Sequence, residues 1–175
     1  MKNIMLISPN AVKARGDIDL NYDDQFLGSA IRTAQEVFLT DFIGKECVDA
    51  LTDLVGRKIN GQEDNIDSEN RVAYKALLED YLTPLLTYQV LLGTALRTSL
   101  KIRNLGVVRN SDTNSQYANL DDVKYLIDEY RTGVNAWQNR TVDFICANKG
   151  AIPECKIDCG CGPKTKYANT GLWLG

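Results

Sequence analysis

Apolar residues recur at steps of three and four along most of this chain, the pattern of helices that bury one face. Phe26, Leu27, Ala30, Ile31, Ala34, Val37 and Phe38 make the first such stripe, with Arg32, Thr33, Glu36 and Thr40 opposite. Asn21 precedes it as a cap, and Asp23 and Asp24 suit the positive end of the helix dipole. Gly44 fits the left-handed position that closes a helix. A short helix is expected from Cys47 to Val55, stopped by Gly56, and the polar stretch 58–68 reads as a loop. A further helix runs through Ala73, Tyr74, Leu77, Leu78 and Tyr81.

Pro84 suits the first turn of a new helix. That helix, from Leu85 to about Asn104, is apolar on most sides, which places it at the centre of a bundle. Gly106 ends it, and residues 107–118 form a polar connection too long for a tight helical hairpin. Asn119 can cap the last helix, with Asp121 and Asp122 in its first turn. There Val123, Ile127, Tyr130, Val134, Trp137, Thr141 and Phe144 form one stripe. At 1.5 Å per residue this helix spans roughly 43 Å, longer than a small bundle, so part of the stripe is expected to face a neighbouring subunit. The expected fold is all-α: a helical bundle of four to five helices with a long C-terminal helix and an extended C-terminal arm. The segments are 1–20 extended, 21–148 helical and 149–175 an interaction arm.

The arm carries Gly160-Cys161-Gly162-Pro163-Lys164-Thr165-Lys166, turn formers and charge that neither continue a helix nor bury a core. It finishes with Leu172, Trp173 and Leu174, large apolar side chains that need cover. Either they dock on their own domain or they bind another chain.

Composition narrows the function. The 175 residues are 44% hydrophobic and 25% charged, ordinary for one globular domain, and the net charge of -3 argues against a surface that binds nucleic acid all over. No run approaches the roughly 18–20 apolar residues that cross a membrane. The opening apolar run is too short for a signal-peptide core, so a reducing cytoplasm is expected, with the five cysteines as thiols. Histidine is absent, which excludes Ser-His and Cys-His nucleophile pairs and every histidine-containing zinc site.

Three features could carry chemistry. Cys155, Cys159 and Cys161, with Cys146 nearby, could supply four thiolates to zinc, although the paired C-x₂-C spacing of zinc ribbons is missing; the alternative is a thiol-bearing tail. Adjacent carboxylates such as Asp121-Asp122 and Asp128-Glu129 point about 100° apart on a helix, which suits helix-start electrostatics and solvated faces better than acid–base catalysis. Arg97, Lys101, Arg103 and Arg109 form a basic cluster that either stabilises a helix C-terminus or meets phosphate or an acidic partner. No phosphate loop or nucleophile elbow is present, so neither a cofactor nor catalytic residues are assigned.

The stretches Ile18-Asp19-Leu20-Asn21-Tyr22-Asp23-Asp24, Ala30-Ile31-Arg32-Thr33-Ala34-Gln35-Glu36, Phe42-Ile43-Gly44, Tyr81-Leu82-Thr83-Pro84, 101–108 and Asp121-Asp122-Val123-Lys124-Tyr125-Leu126 recur here together. In them the chain resembles small head–tail connector proteins of tailed bacteriophages, closest to those of crAss-like phages of Bacteroidales. The resemblance covers roughly residues 10–148. It implies a non-enzymatic virion protein, assembled in the host cytoplasm into a twelve-fold ring below the portal. Such a ring extends the channel for packaged DNA and docks the portal, neck and tail proteins. Beside that resemblance, Leu172, Trp173 and Leu174 read as an arm for an adjacent subunit or neck protein. Two other readings remain: a cytosolic nucleic-acid-binding module using the basic cluster, and a small thiol or zinc protein.

Overall fold

The computed structural model describes residues 4–16, 18–61, 69–103, 106–109 and 120–159; side chains of residue 69, of the last turn of α6 from residue 96, of both strands and of Leu120 lie outside that description. The fold is an all-α bundle, as the periodicity requires, with one two-stranded hairpin added. The elements are α1 (Pro9–Arg15), α2 (Asp24–Thr33), α3 (Thr40–Ile43), α4 (Lys45–Ile59), α5 (Glu69–Ala76), α6 (Thr83–Ser99), β1 (Leu100–Arg103), β2 (Gly106–Arg109) and α7 (Leu120–Ala147).

The opening segment is not simply extended. Ser8 accepts from the Ala11 N–H, Pro9 fills the first turn, and α1 buries Val12 completely. Lys13 ties α1 to the next helix, reaching Asp24 at 2.7 Å and the Leu20 carbonyl at 2.8 Å. Asp23, two residues after the expected Asn21, caps α2 by accepting from the Gln25 N–H.

Two wide π turns, Ala34–Leu39 and Leu77–Leu82, sit inside long helices and change which residues face inward. Each adds a residue to one turn, so the apolar stripe rotates by about 100°. Within the first, Val37 is 66% exposed and Leu39 fully buried, and after it Ile43 is fully buried and Phe42 nearly so. Gln35, in the π turn, points inward with them. The second π turn absorbs Pro84. A proline inside an α-helix clashes with the carbonyl four residues back. Here the Thr83 N–H and hydroxyl both turn to the Leu78 carbonyl, and the chain passes from α5 into α6 without a break. Pro84 therefore does not begin a separate helix.

Gly44, at φ +88°, makes the turn into α4, which continues through Gly56 to Ile59 rather than stopping at Val55. Gly56 faces the N-terminal segment: a Cβ there would lie 2.8 Å from Ile4 Cδ1, the mobile end of that side chain. α6 is central, packing on α1, α2 and α7 and burying Leu85, Leu86, Val90 and Leu91. It ends at Ser99, five residues before the expected Asn104. Leu100-Lys101-Ile102-Arg103 then alternates apolar and basic, a strand pattern, and pairs antiparallel with β2.

Candidate interaction surfaces

The hairpin carries most of the basic cluster. Arg97 lies in the last turn of α6, Lys101 and Arg103 on β1, and Arg109 on β2 opposite Leu100. Register pairs Lys101 with Val108 and Arg103 with Gly106, so the ladder gathers three cations within a few residues of one another. A two-stranded hairpin is marginal alone in water, and its outer edges can pair further strands.

Four of the five cysteines are paired rather than free thiols. Cys47 on α4 is bonded to Cys155, 108 residues later, and Cys146 on α7 to Cys159. This removes Cys146, Cys155 and Cys159 both from the thiol tail and from a four-thiolate zinc site. Among the described residues no group of three His, Cys, Asp or Glu is arranged to hold a metal. Cys161 lies outside the described residues. Sequence could not reveal Cys47 as a partner, because pairing depends on where the fold brings two cysteines together.

With those bonds, residues 151–159 belong to the folded body rather than to a free arm. Ile152 is fully buried, Cys155 and Ile157 nearly so, and the Lys156 N–H donates to the Ile43 carbonyl at 3.0 Å. Lys156 also pairs with Glu46 at 2.7 Å. The Tyr74 hydroxyl donates to Glu154 across 80 residues of sequence. Burial, followed by that bond to Glu154, raises the Tyr74 phenol above its ordinary pKa. Leu172, Trp173 and Leu174 fall outside the described residues.

The longest helix is packed along only part of its length. Its C-terminal part buries Tyr130, Val134, Gln138, Thr141 and Ile145, and Phe144 stacks on Tyr81 with ring centroids 4.3 Å apart. Gly133 lets α6 approach, since a Cβ there would run into the Tyr88 ring. Between Asp121 and Glu129 no residue is buried: Val123 and Ile127 are half-buried, Leu126 is exposed, and Tyr125 is 74% exposed.

A groove of about 810 Å³ opens between α4 and the helix that begins with α2. Ile4 and Val48 contribute its mainly apolar lining, and Arg32, Glu36, Lys45, Asp49 and Asp53 stand along it. Gln35 positions its floor by bracing the N-terminal segment, accepting from the Leu6 N–H at 3.0 Å and donating to the Ile4 carbonyl at 3.1 Å. Periodicity put no weight on Gln35; an amide inside an apolar stripe was the available signal. No helix among the described residues is long and apolar enough to cross a membrane.

Fold and surfaces together define a helical-bundle protein with a basic hairpin at one end of its central helix. Residues 39–165 match a family described as "Family of unknown function (DUF6712)", and the chain belongs to that family. No curated protein and no solved structure matches the chain.

Proposed function

We propose that this protein is a structural subunit of a ring-shaped adaptor at the head–tail junction of a tailed bacteriophage. The observation that carries the reading is the divided packing of α7: one part is built into the bundle, while Val123, Tyr125, Leu126 and Ile127 are left part-covered or open. Such a helix gains most by packing against a neighbour, and head-to-tail contacts that close on themselves make rings. The connector-like sequence stretches support the same assignment. So do the disulfides, because virions exist outside the cell, where such bonds persist.

In that role the subunit positions other components and performs no catalysis. A ring repeats Lys101, Arg103 and Arg109 around its axis, and a circle of cations suits a DNA channel where one subunit offers too little charge for strong binding. Portal, neck and tail proteins are the neighbours above and below. Mass measurement of the purified or virion-derived protein tests the assignment. A closed multi-subunit ring is expected, twelve-fold by the resemblance. A protein that stays monomeric, also when mixed with the portal, and binds DNA in a salt-dependent way would favour the nucleic-acid-binding module instead.

A further inference from the structure

We infer that the groove between α4 and the helix that begins with α2 receives the apolar end of residues 160–175 from a second copy of this chain. The inference rests on the ring reading and adds the receiving site to it.

The groove has the right size and lining. Its wall along α4 runs from Lys45 to Gly56, about 17 Å at the helical rise. An extended peptide covers that length with about five residues, the span of Gly171-Leu172-Trp173-Leu174-Gly175. Ile4, Val48 and the methyl-bearing Thr40 and Thr52 line it, an apolar trough for leucine and tryptophan side chains. The glycines on either side of Leu172-Trp173-Leu174 let the backbone come close to the wall.

The point of departure favours a neighbour's groove. Cys155 is bonded to Cys47 and Lys156 packs at Gly44 and Ile43 beside the start of α4, and three residues later Cys159, the root of the tail, is bonded to Cys146 in the last turn of α7. The groove lies on the face carrying Val48, Thr52 and Gly56. At about 100° per residue, Thr52 is roughly 140° round the helix from Cys47. The first disulfide holds Cys155 on the Cys47 side of α4, and the second holds the root of the tail on α7. From Cys159 to Trp173 the chain can stretch about 48 Å, enough to leave one subunit and enter the next.

Photo-crosslinking in the full chain tests this. Benzoylphenylalanine replaces Trp173 in isotopically heavy protein, which is assembled with light protein and irradiated, and the crosslinks are mapped by mass spectrometry. Heavy–light crosslinks to the segments around Ile4 and 48–56 are expected, and Thr52→Arg in the light partner should reduce them at least tenfold. Circular dichroism would verify that this variant, altered at a half-buried wall position, remains folded. A second blocking variant, Asp53→Trp, alters only the exposed rim of the groove and should reduce the same crosslinks without touching the wall.

Heavy–heavy crosslinks alone would show the tail in its own groove and overturn the inference. Crosslinks to other surfaces of the neighbour, or crosslinks that both blocking variants leave unchanged, would do the same while leaving the ring intact. A monomeric mass with no intermolecular crosslink would remove both the inference and the ring.

Discussion

Gly133→Ala gives the sharpest check of how α6 and α7 are held. On an open helix the change should stabilise by about 1 kcal/mol, because alanine loses less backbone freedom than glycine. Here the added methyl would run into Tyr88 Cδ1 and lie 2.6 Å from Cε1 and 2.9 Å from Cγ. Turning the ring about its Cβ–Cγ bond cannot relieve the last contact, since Cγ lies on that axis, so either the Tyr88 side chain leaves its rotamer or the helices separate. Overpacking costs about 1–3 kcal/mol, and a clash this deep belongs at the upper end. The net expectation is a loss of about 1–2 kcal/mol. In a Tyr88→Ala background the obstacle is gone, and the same Gly133→Ala change should stabilise by about 1 kcal/mol. Urea unfolding of the four proteins reads the cycle, with a coupling of about 2–3 kcal/mol expected. A midpoint raised by Gly133→Ala in both backgrounds would refute the close approach of the two helices.

Three more outcomes follow from the same packing. In the unreduced protein Cys47, Cys146, Cys155 and Cys159 should resist thiol reagents, and Cys47→Ser should lower stability by about 4–5 kcal/mol, read by urea unfolding with and without reductant, because its bond closes a loop of 108 residues. Tyr74 has a folded-state pKa above its unfolded value, so its contribution is complete below about pH 10 and fades as the pH rises beyond that; Tyr74→Phe should flatten this alkaline loss in thermal melts and cost about 1–2 kcal/mol at neutral pH. Gln35→Leu should leave the Leu6 N–H and Ile4 carbonyl without their partner, costing about 2 kcal/mol and speeding amide exchange at Leu6.

The stripe of α7 and the greasy centre of α6 were legible as periodicity, because a helix packed on one side needs apolar residues every three or four positions. Gly44 was legible too, since a positive φ calls for glycine. Where periodicity failed, a local exception was responsible. The π turn at 34–39 rotated the stripe, so Val37 faces outward and Leu39 inward. Gly56 lies inside a helix that continues to Ile59, where it faces Ile4. The hairpin did leave a signal in the alternation at 100–103, hidden by its continuity with the apolar run of α6.

The sequence by itself determined the helical class, the central helix and the helix that exceeds its bundle, because these depend on spacing between near neighbours in the chain. Tertiary structure alone decided that Cys47 meets Cys155, that Tyr74 meets Glu154 and that residues 151–159 close onto the body. The first two contacts join positions 108 and 80 residues apart, and no local pattern encodes which distant groups a folded chain will bring within reach.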